Sequence, residues 1–153
     1  MTGATPGEIG YLVVGFSDPT QVRAGFDRLA DLSGFDRPAD LSAGGPMKVL
    51  DVEFIHSIHG VASTVPAGRV DHALRTLETL DSRLLGQADL DIVAATIPVG
   101  STAAVVVYTG APVLAVLAEW SRAGAAILRE GRIDPAALEA ARTSQPGAAL
   151  LGG

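Results

Sequence analysis

The segment IPVGSTAAVVVYTGAPVLAVLAEW, running from Ile97 to Trp120, carries no charged side chain before Glu119, and the uncharged run begins at Ile92. A helix crosses a bilayer with about 20 mostly apolar residues, so length alone would let this stretch span a membrane. A spanning helix also needs an unbroken backbone. This run is punctuated by Pro98 and Gly100 near its start and by Gly110 and Pro112 in its middle. Proline removes an amide donor and clashes with the preceding turn, at a cost of about 3 kcal/mol inside a helix. Between the breakers, Ala103 to Tyr108 is a short β-branched run of the kind that forms a strand buried on both faces. After Gly110 the period changes. Val113, Leu117, Trp120 and Gly124 recur at helical spacing, Pro112 suits a first helical turn, and Gly124 is placed to cap the helix end. The run therefore reads as strand, turn and helix of a core, and no membrane insertion is expected.

The same signals extend outward. Ile9 to Phe16 is a buried strand, followed by a helix start with Asp18 as N-cap, Pro19 at N1 and Gln21 at N3. Val22, Phe26 and Leu29 form its apolar stripe, which ends near Ser33 and Gly34. Phe35 to Pro46 is a turn-rich loop. Met47 to Ile58 alternates: Leu50, Val52, Phe54 and Ile58 share one face with His56, while Asp51 and Glu53 point to the other. The first face is expected to be core, the second wet or in contact with a partner. Val61 to Val65 is a short strand reached through a His59–Gly60 turn. Val70 to Leu85 has helical spacing, and Ala88 to Ile97 is a further short helix. Ala125 to Ile133 is mixed in polarity, as an edge strand is, and Asp134–Pro135 opens a last helix to about Thr143.

The strand–helix–strand pattern thus occurs twice, over residues 9–58 and 103–133. The expected fold is α/β in the sense of an α+β sandwich: a ferredoxin-like split β-α-β repeat with an extra helical segment between the two units. Right-handed crossovers would put both helices on one face of the sheet. The other face would be covered by a second protomer or by residues 60–97.

At 153 residues, 48% of them hydrophobic, the chain suits a single domain with a core over about 9–143 and flexible tails at 1–8 and 144–153. It has no cysteine, which excludes disulfides, thiolate metal sites and cysteine nucleophiles. The net charge is −6, and the arginines are scattered with no basic stripe, so nucleic acid is not an expected partner. The N-terminus lacks the basic and apolar regions of a secretory signal, so the cytoplasm is the expected compartment.

YLVVGF near the N-terminus, VLDVEFIHS in the centre, DIVAATIPVGSTAAVVVY, AEWSRAGAAIL and DPAALEAA together resemble a group of small actinobacterial proteins known only as a domain of unknown function. The resemblance runs from about Ile9 to Ala141. It implies a soluble α/β domain, assigns no activity and carries over no functional residue.

Four constellations could carry chemistry. His56 and His59, with His72 downstream, are candidate metal ligands, but positions three apart on a strand point to opposite faces and converge only if the chain turns between them. Asp51 and Glu53 lie two apart on one strand face. Such a pair can serve acid–base catalysis or a ligand, and more often it is a solvated face or an ion-pair partner for an arginine such as Arg129. Gly15-Phe16-Ser17-Asp18 precedes a helix but lacks a phosphate-loop pattern, and Asp18 would repel an anion. Trp120 and Tyr108 are candidates for ligand or interface contact, although a lone Trp on an apolar helix face is usually core. No cofactor is expected.

The leading reading is a non-catalytic binding or self-association module, with a homo-oligomer and an unidentified small molecule as expected partners. The alternative is a dimeric α/β-barrel-type enzyme acting on a small molecule through Glu53, His56 or Tyr108.

Overall fold

The structure, a computed structural model, describes residues 9–33, 47–58, 61–80, 84–98, 100–110, 114–142 and 150–152. It is an α+β fold built on a five-stranded, wholly antiparallel sheet. In chain order the elements are β1 (Ile9–Phe16), α1 (Thr20–Ser33), β2 (Met47–Ile58), β3 (Val61–Val65), α2 (Ala67–Val70), a 3₁₀ helix (His72–Leu80) and α3 (Gln87–Ala94). Then come β4 (Thr102–Gly110), α4 (Leu114–Ala123), β5 (Ala126–Ile133), α5 (Pro135–Arg142) and a last 3₁₀ turn (Leu150–Gly152). The strand order is β3-β2-β4-β1-β5.

The decisive apolar run splits as its breakers dictate. Its first half is β4, placed between β1 and β2, where Ala103 to Tyr108 are all buried. A strand flanked on both sides and covered on both faces has no polar surface to meet, which is why its sequence is continuously apolar. Its second half is α4. Gly124 ends that helix at φ +95°, with Ala125 N–H donating to Trp120 O at 2.9 Å and Gly124 N–H to Ser121 O at 3.2 Å. That is a Schellman cap, and it needs a residue that tolerates the left-handed region. Among the described residues no helix is long and apolar enough to cross a membrane.

The start of α1 also follows the local sequence. The Asp18 carboxylate accepts from Thr20 N–H at 3.0 Å, and Gln21 Oε1 reaches back to Asp18 N–H at 3.2 Å, the reciprocal pattern of a capping box. Asp134 repeats the first half of this device, accepting from Ala136 N–H at 3.0 Å ahead of α5.

Two apolar clusters sandwich the sheet. On one face α1 packs against α4, and Leu12, Val14, Phe16, Val52, Phe54 and Val106 from the strands meet Val22, Phe26, Val116 and Trp120 from the helices. Leu74 and Leu77 of the 3₁₀ helix join the same cluster. On the other face Val13, Ile55, Val105 and Val107 pack beneath α3, α5 and the Leu150–Gly152 turn.

Three expectations need correction. The helical stripe expected over Val70 to Leu85 is divided at Asp71, whose extended backbone (φ −160°, ψ 134°) ends α2. Its carboxylate accepts from Ala73 N–H at 2.8 Å to start the 3₁₀ helix. Leu74 and Leu77 then serve one face of the sheet while Leu84 serves the other, so the segment wraps around the sheet instead of lying along one face. Second, Leu50 does not share a face with Val52 and Phe54. The register of β2 against β4 shifts between Val49 and Asp51, and this bulge turns Leu50 toward the opposite cluster. Third, residues 144–153 are not wholly a tail. Leu150 and Leu151 are buried against the second face, because two leucines find uncovered apolar surface there. Residues 1–8 and 143–149 lie outside the described residues.

Candidate functional site

Asp51 and Glu53 sit side by side on β2, opposite Val107 and Val105 of β4, on the face covered by α3. The face expected to be wet or in contact with a partner is buried within the chain: Asp51 is 0% exposed and Glu53 2%. Alternation placed both carboxylates away from Val52 and Phe54, as read from the sequence. Of the two covers expected for that face, a second protomer or residues 60–97, it is the connection between β3 and β4 that returns across them. Glu53 Oε2 accepts from Leu85 N–H at 3.1 Å, so the incoming chain is anchored to the carboxylate before α3 begins.

Glu53 also lies at the base of a cleft of about 640 Å³. Val65, Pro66, Leu85 and Leu90 give it apolar walls, and Thr64, Gln87 and Glu78 add a hydroxyl, an amide and a second carboxylate. Glu78 Oε2 accepts from Gly68 N–H at 2.9 Å, which holds the 3₁₀ helix against α2 on one side of the cleft. Gln87 Nε2 donates to Ala62 O at 3.2 Å, which holds α3 against the β3 edge on the other side, and to Asp91 Oδ1 at 3.0 Å within α3. The volume falls in the range typical of small-molecule sites, about 300–1,000 Å³.

The other sequence candidates are not gathered here. His56 is half-buried on β2, paired with Thr102 and Ser63, and His72 is exposed at the start of the 3₁₀ helix. His59 lies outside the described residues. Among the described residues no group of three or more His, Asp or Glu side chains is arranged to hold a metal ion. Trp120 is fully buried between α1 and α4, its Nε1 donating to Val22 O at 3.1 Å, so it is a packing residue. Tyr108 is buried on the α1/α4 face. Burial first, and Glu130 second, push its hydroxyl above the usual tyrosine range, which keeps the phenol neutral and argues against a role as a base.

Arg129 does not serve as the arginine partner considered for Asp51 and Glu53. It donates from Nε to Tyr11 OH at 2.8 Å and from Nη2 to Leu151 O at 2.9 Å. No protein-family model, no curated protein and no solved structure matches the chain.

Thr64, Glu78 and Gln87 were not singled out from the sequence. They lie on three elements, and no spacing along the chain signals that they meet. Asp89 was also missed, although Gly86-Gln87-Ala88-Asp89 carries the signal of a helix start with an acid at N3.

Proposed function

We propose that this chain is a ferredoxin-like binding module whose ligand is a small amine-bearing organic molecule, held in the cleft between β3, the 3₁₀ helix and α3. The fold reading is supported by the order β2-β4-β1-β5 within the sheet and by α1 and α4 sharing one face. Strand β3 and the 60–97 connection are then additions to a split β-α-β core.

The observation that carries the ligand reading is the composition of the cleft. Most of the cleft's lining is polar: the two glutamates, the threonine and the glutamine present mostly acceptor oxygens, while Val65, Pro66, Leu85 and Leu90 offer contact to a hydrocarbon body. Glu78 is exposed and uses Oε2 for Gly68, and an ionised carboxylate has about four acceptor positions, so an ammonium or hydroxyl donor can be received there.

Catalysis through an open sheet face has little to work with. A dimeric α/β barrel joins two uncovered faces, whereas here α3, α5 and Leu150–Gly152 occupy the face that bears Asp51 and Glu53. For the same reason, self-association would have to use a strand edge or a helix surface.

The test is a thermal-shift and NMR titration of the purified protein with a panel of aliphatic and aromatic amines, set against carboxylic acids of matching size. Amines should raise the melting temperature and shift the resonances of Thr64, Gln87 and Leu90, and Glu78→Gln should weaken the effect. Equal behaviour of amines and acids, or no shift with any member of the panel, would sink the proposal.

A further inference from the structure

One carboxylate ties the wall of the cleft to a segment far away in the chain. Asp89, 2% exposed, occupies the third position of α3. Its Oδ2 accepts from Gly86 N–H at 3.2 Å, capping the helix, and its Oδ1 accepts from Leu151 N–H at 2.9 Å. The carbonyl of Leu151 is held from the opposite side by Arg129 Nη2 at 2.9 Å and by Tyr11 OH at 3.4 Å. Both backbone groups of Leu151 are therefore bound by side chains, while its own side chain is fully buried against the second sheet face.

Removing this segment would strand Asp89 and Arg129 with lost partners and expose the surface that Leu150 and Leu151 cover. A buried polar group left without its partner carries its full desolvation penalty. The cost would fall on α3, because Asp89 is also its N-terminal cap. From there a chain of bonded groups reaches the cleft: Asp89 to Gly86, the neighbouring Leu85, and Leu85 N–H to Glu53 Oε2. Leu85, Gln87 and Leu90 all line the cleft.

We infer that Leu150–Gly152 is a strap whose docking holds α3 in place through Asp89, so that release of the strap loosens the α3 wall of the cleft. The coupling itself is independent of what the cleft binds. Its consequence for ligand affinity rests on the function proposed above.

Native-state hydrogen exchange on the full chain tests it without any ligand. In the unmodified protein the Leu151 amide should be protected and should open together with the amides of α3. Leu151→Ala should speed exchange about tenfold at Leu151 and equally across residues 86–94. Exchange at Val105 to Val107 of β4 should stay unchanged, which shows that the sheet remains folded. Asp89→Asn can keep only one of the two accepted bonds and should act in the same direction. An unprotected Leu151 amide in the unmodified protein overturns the inference. So does a Leu151→Ala variant that frees the strap and leaves residues 86–94 as they were. A failed amine titration alongside the expected exchange pattern removes the ligand reading and leaves the strap standing.

Discussion

The indole of Trp120 on α4 reaches into α1 and donates to the carbonyl of Val22 at 3.1 Å, in space that Gly25 leaves open. A methyl at position 25 would overlap the indole nitrogen. The ring also meets Phe26 edge-on, with centroids 5.2 Å apart. This contact sets how closely the two helices approach over the sheet, and it makes glycine at 25 a packing requirement.

Gly25→Ala should therefore destabilise the protein by about 1–3 kcal/mol, the usual cost of overpacking, even though alanine is the better helix former. Trp120→Phe should cost about 1–2 kcal/mol through the lost hydrogen bond and lost contact. In the double variant the indole nitrogen nearest the added methyl is gone and the smaller ring can shift away, so the combined cost should be less than the sum of the single ones. Urea denaturation of the three variants measures this, and strict additivity would contradict the account.

Tyr11 works on the other face. It accepts from Arg129 Nε at 2.8 Å and lies across from Gly131, where an added methyl would come within 2.9 Å of its ring. Tyr11→Phe should cost about 1–2 kcal/mol, since it removes the acceptor from a half-buried guanidinium. Gly131→Ala should be destabilising too, and little further loss is expected when it is combined with Tyr11→Ala, which removes the ring it strikes. Denaturant midpoints at constant m-value distinguish these outcomes.

Gly124→Ala should lower stability by about 1–2 kcal/mol, because φ +95° places a side chain in the left-handed region. A thermal melt that left the midpoint unchanged would mean that the α4 cap is not held in this form.

Acid should weaken the attachment of α1 to the segment after β3. The Asp71 carboxyl is held below its ordinary 3.8, first by the Ala73 N–H and then by Arg23, whose Nε lies 2.9 Å away. Asp18 is lowered as well, by the backbone N–H and the hydroxyl of Thr20. Groups depressed in the folded state contribute stability that is complete above the unfolded pKa, about 4, and is lost as the pH falls through the lower folded values. Asp71→Asn should flatten the stability profile below about pH 4 and leave its shape near neutrality unaltered. Denaturation midpoints taken from pH 2 to pH 7 show whether it does.

Much of the architecture is legible in single segments. Breakers at Pro98, Gly110 and Pro112 divide the long apolar run, and Asp-Pro pairs at 18 and 134 announce two helices whose caps form as expected. Edge and centre can be told apart as well. Mixed β5 lies at a sheet margin, while the uniformly apolar β4 has strands on both sides. These features are local, because backbone sterics, capping and periodicity act over a few residues.

The fate of Asp51 and Glu53 was not local. Their alternation put them on one face, but whether that face met water depended on where residues 84–97 came to rest and on the docking of Leu151 about 100 positions later. The bulge that turns Leu50 and the cleft joining Thr64, Glu78 and Gln87 are of the same kind. So is the double use of Asp89 as helix cap and strap anchor. Most strand and helix positions follow from short-range geometry, the division of the Val70–Leu85 stripe at Asp71 being the exception. Which polar groups are buried, and what they hold, follows from long-range packing, because burial and partnership depend on segments that meet in space and carry no mark of that meeting along the chain.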